Sequence, residues 1–152
     1  MYLEDFAMVS GRLYRVLLVD DDLNCLDAIG QILRRDGYEV ILVAEGKQAL
    51  EMINNSIIDI AIVDFNLPDI DGIHVLYEIK KRGNMPIIMM TSETSKEVKL
   101  ASFEAGAYSF VTKPINIPIF RNIVSKALEY SEIKSVRREM ILIKWIREII
   151  HR

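Results

Sequence analysis

The segment RVLLVDDDL, residues 15–23, joins an apolar run to three consecutive carboxylates, and it decides the fold. The run is aliphatic, as expected of a buried strand, and the acidic part is Asp20, Asp21 and Asp22. Like charges side by side at the end of a buried strand repel one another unless something offsets them. The segment therefore predicts a strand that ends at a charged site.

Similar apolar runs recur along the chain and alternate with amphipathic stretches. Their Ile and Val content without polar alternation favours parallel strands covered on both faces. The intervening stretches have helical spacing, as in Leu26, Ile29 and Leu33, and Gly37 and Gly106 stand where helices would end. We predict a doubly wound α/β fold with a five-stranded parallel sheet and right-handed crossovers. The predicted strands are residues 15–20, 38–44, 58–64, 85–91 and 107–112.

Composition narrows the class of protein. The 152 residues are 51% hydrophobic and have one domain's length, with ample material for a core. No stretch approaches the roughly 20 apolar residues of a membrane span, and residues 1–15 do not resemble a signal peptide, so we expect a cytoplasmic protein. The single Cys25 excludes an internal disulfide and is expected to be a packed thiol. We recognise no DNA-binding module and expect no nucleic-acid contact.

Polar side chains follow the predicted strands. Asp20 and Asp21 follow the first strand, Asp64 ends the third, Thr91 ends the fourth and Lys113 follows the fifth. Ligands of doubly wound sheets bind beyond the carboxyl ends of the strands, so these groups should meet at one edge. Three carboxylates suit a hard divalent cation, and oxygen ligands suit Mg²⁺. The remaining hydroxyl and ammonium groups would then hold an anion.

Four motifs occur along the chain in the order VDDD (19–22), VDFNLPDIDG (63–72), MTSE (90–93) and FVTKP (110–114). Together they resemble the receiver domain of bacterial two-component response regulators over about residues 15–129. The resemblance implies that a histidine kinase or phosphotransfer protein passes a phosphoryl group to Asp64. It also implies that Asp20, Asp21 and Asp64 hold Mg²⁺ together with the backbone carbonyl of Asn66.

The resemblance also assigns roles around the acceptor. Lys113 would offset the charge of the phosphoryl group, and Thr91 and Phe110 occupy the switch positions. The resemblance implies that Asn66 and Glu93 tune the access of water to the phosphoryl group. This pairing is similar to that of fast-decaying chemotaxis receivers, so we expect a short-lived phosphoryl group.

Other acidic and turn residues near the site are assigned structural roles. Asp22 is expected to cap a helix, and Asp69 and Asp71 are expected to serve as turn and cap residues. Pro68 and Gly72 fit a tight turn that leads into the next helix.

Two other interpretations compete with a receiver. Haloacid-dehalogenase-like phosphatases place two acids after the first strand with the spacing of Asp20 and Asp22. They need further acids after the lysine, residues 115–128 contain none, and Asp64 would have no role. A receiver-like fold kept only for protein binding would have lost an acid, the threonine or the lysine, and all are present.

The C-terminal tail differs from the body. Residues 1–130 contain 13 Lys and Arg against 19 Asp and Glu, whereas residues 131–152 contain 6 against 3. The last helix, starting near residues 115–119, has no breaker after Pro118 and is expected to run for about 30 residues. From Met140 to Ile150, 8 of 11 residues are apolar.

This apolar tail requires a partner. It could fold back on its own domain or lie at a membrane interface, but we expect that it forms a homodimer or leads to an output domain. We divide the chain into an N-terminal extension (1–14), a receiver domain (15–129) and a C-terminal helical extension (130–152). The N-terminal extension is expected to be a flexible start or a short helix packing through Leu3 and Phe6.

Overall fold

The computed structural model describes residues 13–93 and 95–151 and contains a five-stranded, all-parallel sheet in the order β2-β1-β3-β4-β5. Helices separate the strands along the chain, which confirms the predicted doubly wound architecture. The expectation for Leu3 and Phe6 lies outside the described residues. The strands are β1 (Arg15–Val19), β2 (Glu39–Val43), β3 (Ile60–Asp64), β4 (Ile87–Thr91) and β5 (Ser109–Thr112). The helices are α1 (Leu23–Arg35), α2 (Gly46–Asn55), α3 (Gly72–Arg82), α4 (Lys96–Glu104) and α5 (Ile117–Ile150).

The sheet has an apolar cluster on each face, which explains why its strands lack polar alternation. In β1, Val16 and Leu18 pack with residues of α1 and α5. Leu17 and Val19 point to the other face and pack with residues of α2 and α3. Successive side chains of a strand alternate between faces, so a strand covered on both sides must be apolar throughout. The polar side chains are therefore confined to the strand ends.

Side-chain caps set the helix starts around this edge of the sheet. Asp22 accepts hydrogen bonds from two amides in the first turn of α1, Asp71 caps α3 and Ser95 caps α4. Such caps satisfy amides that have no acceptor within the helix. Gly37 and Gly106, which follow α1 and α4, have φ of 92° and 101°, a conformation that glycine adopts without strain.

Helix α5 is one continuous helix of 34 residues that begins after the Asn116 cap. Phe120, Val124 and Ala127 are buried against the sheet, whereas residues 133–150 are all exposed. Within the described chain, the tail therefore does not fold back on its own domain. No helix in residues 13–93 and 95–151 is both long enough and apolar enough to cross a membrane.

Two polar contacts hold α5 against the body of the protein. Near its start, Arg121 Nε donates to Asp36 Oδ2 at 2.8 Å, and the Asp36 carboxylate is buried. Farther along, the buried Tyr14 donates its hydroxyl proton to Glu132 Oε1 at 2.8 Å. Glu132 immediately precedes the exposed part of the helix.

Candidate functional site

Three carboxylates meet at the carboxyl edge of the sheet. Asp20 and Asp21 follow β1, and Asp64 is the last residue of β3, the strand beside β1. One carboxylate oxygen from each residue lies within 4.8 Å of the other two. Asp20 and Asp64 are buried, whereas Asp21 is exposed. The three carboxylates that were predicted to meet at this edge therefore form a cluster, which is open to solvent on the Asp21 side.

Lys113, which follows β5, reaches across the edge to this cluster. Its Nζ lies 2.6 Å from Asp20 Oδ2 and 2.7 Å from Asp64 Oδ2. Burial alone would lower the pKa of Lys113, but its hydrogen bonds to the two carboxylates raise it above the ordinary value. The lysine is therefore charged at neutral pH and offsets part of the acidic charge. The peptide bond between Lys113 and Pro114 is cis.

The two buried carboxylates differ in how well their charge is stabilised. Burial raises the pKa of Asp64, and the nearby Asp20 carboxylate adds to the effect, against the Lys113 and Asn66 hydrogen bonds. Burial opposes ionisation of Asp20 too, but its hydrogen bonds from Lys113 and from the Asp22 amide outweigh it and lower its pKa. Asp64 is therefore the less stabilised anion of the pair.

Backbone amides orient both carboxylates. Asp64 Oδ1 accepts from the Asn66 amide at 2.9 Å, and Asp20 Oδ1 accepts from the Asp22 amide at 2.9 Å. In each case Lys113 contacts the second oxygen. These contacts hold the Asp64 carboxylate in one orientation within the cluster.

The predicted switch residues lie on the two neighbouring strands. Thr91 is fully buried at the end of β4, and its Oγ1 accepts from the Glu93 amide at 3.1 Å. Phe110 in β5 is half-buried, and Lys99 Nζ of α4 lies 5.8 Å from its ring centroid. The Lys113 amide donates to the Thr91 carbonyl at 2.8 Å, which links the ends of β4 and β5.

The donor set fits Mg²⁺. Three carboxylates carry three negative charges, and Lys113 offsets only one of them. Oxygen donors and a solvent-facing side suit a small, hard cation that keeps part of its water shell. Asp20, Asp21 and Asp64 would hold the ion, with the Asn66 carbonyl as a further donor.

The loop after β3 is held by contacts that the sequence did not reveal. A Cβ on Gly72 would collide with the Asp64 carbonyl oxygen, so α3 approaches the end of β3 only with glycine there. Asp71 caps its own helix as expected, but Asp69 accepts from the amides of Gly46 and Lys47 and caps α2 instead. One signal was present, because α2 begins after Glu45, which is a poor N-cap, but it did not indicate which residue would cap the helix instead.

Comparison with known proteins identifies the family. Residues 16–137 match the family model described as response regulator receiver domain. The chain is 38% identical over 103 residues to the uncharacterized transcriptional regulatory protein YrkP of Bacillus subtilis (strain 168), covering 68% of this chain and 44% of that protein. It is 33% identical over 138 residues to a cyclic di-GMP phosphodiesterase of Thermotoga maritima, covering 85% of this chain and 37% of that protein. The chain thus spans less than half the length of these curated relatives.

A solved structure supports the same family assignment. The CheY-like response regulator receiver domain protein from Methanospirillum hungatei JF-1 superposes with a TM-score of 0.77 at 36% identity, covering 80% of this chain and 98% of that chain. The phosphatase alternative is not supported, because the chain matches a different family and the Asp22 carboxylate caps α1. Fold, strand-end cluster and sequence similarity agree: the chain belongs to the response regulator receiver domain family.

Proposed function

We propose that this receiver accepts a phosphoryl group on Asp64 from a histidine kinase or phosphotransfer protein and thereby switches its binding to partners. One observation carries the proposal: the buried Asp64 carboxylate, part of an acidic cluster that opens to solvent on the Asp21 side, lies 2.7 Å from the Lys113 ammonium. A carboxylate attacks a charged phosphoryl group only where positive charge offsets the negative charge on the equatorial oxygens. The chain acts as a phosphoacceptor in the cytoplasm, where its donor's phosphohistidine is made.

The chemistry needs few groups. An Asp64 carboxylate oxygen attacks phosphorus, the P–N bond of the donor phosphohistidine breaks, and its electron pair returns to the imidazole nitrogen. Lys113 stays protonated throughout and offsets the charge of the incoming phosphoryl oxygens. Mg²⁺, when bound, supplies further positive charge at the same oxygens. Asp20, Asp21 and Asp64 would provide its carboxylate donors.

The readout proceeds through Thr91 and Phe110. The buried Thr91 hydroxyl donates to a phosphoryl oxygen once the group is on Asp64. Phe110, on the adjacent strand β5, changes position in response to Thr91. Asn66 and Glu93 are both exposed beside the site and set the rate at which water removes the phosphoryl group.

The test of phosphoryl acceptance is intact-mass measurement after incubation with acetyl phosphate and Mg²⁺. The wild type should gain one phosphoryl group, and Asp64→Asn should gain none. Asp22→Asn is the matched control, because asparagine also caps helices and Asp22 lies outside the acceptor cluster. Labelling of Asp64→Asn at the wild-type level would overturn the proposal.

The partner of the exposed tail is a second copy of the chain, and residues 131–150 form the interface of a homodimer. Ile133, Met140 and Ile143 are among ten large apolar side chains of this segment that are exposed to water. Burying each such side chain stabilises the assembly by about 1.5–3 kcal/mol. A symmetric dimer buries the same patch of both copies at once. Met140→Glu/Ile143→Glu should then give a monomer that still accepts phosphate, as sedimentation and labelling would show.

A further inference from the structure

The exposed part of α5 carries a regular apolar stripe, which we call the outer seam. Its members recur at alternating spacings of three and four residues, with one charged residue in the series. The outer seam consists of Ile133, Val136, Met140, Ile143, Arg147 and Ile150.

This spacing is that of the a and d positions of a heptad repeat, which brings helices together in coiled coils. Ile133, Met140 and Arg147 occupy a positions, and Val136 and Ile143 occupy d positions. The repeat begins where α5 leaves the body of the protein. At the two preceding a and d positions, Lys126 and Glu129 are polar and pair with each other at 3.5 Å.

The outer seam faces away from the receiver body. At about 100° per residue, its centre lies roughly 145° around the helix axis from the side chains that α5 buries against the sheet. Those buried side chains are Phe120, Val124, Ala127 and Leu128. A second helix can therefore pack along the outer seam without meeting the receiver domain of either copy.

The charges beside the outer seam select the orientation of the second helix. The first two g positions are Glu132 and Glu139, and the first two e positions are Arg137 and Lys144; the third g position is the apolar Ile146. In a parallel coil, each g residue faces the next e residue of the other helix, which pairs Glu132 with Arg137 and Glu139 with Lys144. In an antiparallel coil, g faces g and e faces e, so like charges would meet. In the described chain, Arg137, Glu139 and Lys144 have no ion-pair partner of their own.

We propose that residues 133–150 form a parallel, in-register, two-stranded coiled coil with a second copy of this chain. The proposal rests on the self-association proposed above and adds its orientation, register and strand number. Arg147 at an a position faces its counterpart, which weakens the coil but penalises shifted registers and a third strand. Arg147→Leu should therefore tighten association.

Disulfide trapping in the full chain tests orientation and register. In a Cys25→Ser background, Val136→Cys and Ile143→Cys should each give a cross-linked dimer on mild oxidation. An antiparallel pair brings at most one of these positions opposite itself, so trapping at both sites requires a parallel coil. Arg138→Cys is the matched control, because position f lies opposite the seam and should not cross-link. Cross-linking at only one of the two seam sites, or equally at position 138, would overturn the proposal.

Charge reversal tests the orientation independently. Glu139→Lys turns two attractive interhelical pairs repulsive and should weaken a parallel dimer roughly tenfold, whereas an antiparallel dimer, in which Glu139 faces another glutamate, would not be weakened. Lys144→Glu in the same chain should restore affinity. Glu139 is preferable to Glu132, because Glu132 also binds Tyr14.

Sedimentation measures the number of chains in the assembly. A trimer, or a monomer at high micromolar concentration, would overturn the proposed two-stranded coiled coil. Labelling of Asp64 does not depend on the seam, so failure of the coil and failure of phosphoryl acceptance are distinguished.

Discussion

Removing the Lys113 ammonium should destabilise the metal-free protein, because it leaves two buried carboxylates facing each other. Asp20 and Asp64 side chains are 0% and 7% exposed, and that of Lys113 is 20% exposed. Removing one partner from a buried ion pair costs about 3–5 kcal/mol. Because Lys113 is partly exposed, the loss of unfolding free energy in Lys113→Met should lie at the lower end of this range, about 3 kcal/mol. For a chain of this size, that lowers the melting temperature by about 6–12 °C.

Thermal and urea unfolding in EDTA, followed by circular dichroism, measure this loss. Asp64→Asn is the matched control: it removes a charge that Asp20 repels and leaves Lys113 paired with Asp20, so it should cost much less or stabilise. The double variant Asp64→Asn/Lys113→Met should be more stable than Lys113→Met alone. If Lys113→Met unfolds within about 0.5 kcal/mol of the wild type, the electrostatic account of the site is wrong.

Three further predictions concern the ion, the phosphoryl lifetime and pH. Mg²⁺ should raise the melting temperature of the wild type by binding the folded state, and Asp21→Ala should reduce that rise; an equal rise in both would place the ion elsewhere. With Asn66 and Glu93 beside the acceptor, phosphoryl label should decay well within hours, as a time course of intact mass would show. Burial raises the pKa of both Cys25 and Tyr38 to about 12, from ordinary values of 9.0 and 10.0. Their protonated forms are favoured in the folded state, so the stability that these two groups contribute should be constant below pH 9, and stability should fall between pH 9 and 12 in urea titrations. Stability that rises over this range would contradict the assignment.

The strand ends were predictable because their residues obey a local rule. A strand covered on both faces must be apolar, so Asp20, Asp64 and Thr91 stand out where such runs end. Parallel topology then places these ends at one edge of the sheet. Lys113 was found in the same way, although its distances to the two carboxylates required coordinates.

Contacts between distant segments were not predictable in the same way. Asp69 caps a helix that begins 23 positions earlier, and Arg121 binds Asp36 across 85 positions. Asp69 lies in a turn and Asp36 follows a helix, and aspartate is common at both kinds of position. The sequence around each residue therefore does not indicate a distant partner. The length of α5 was predictable from the missing breaker, but the direction of its outer seam relative to the body depended on which side chains the sheet buries.

A short covalent path joins the Asp64 site to the start of α5, the helix that carries the outer seam. This path limits how phosphorylation could change dimer affinity. Lys113, which binds Asp64, lies four residues before the first residue of α5 and is hydrogen-bonded through its amide to Thr91. A phosphoryl group on Asp64 adds charge opposite Lys113, so the β5–α5 connection must accommodate a new partner for the ammonium. Any resulting change in dimer affinity is reciprocal: a phosphoryl analogue that favours the dimer must itself bind the dimer more tightly, by the same factor. Coupling would therefore be measurable as a change in dimer affinity when the analogue binds, or as a change in analogue affinity when the dimer forms. Equal binding of the analogue to monomer and dimer would mean that α5 does not transmit the state of Asp64.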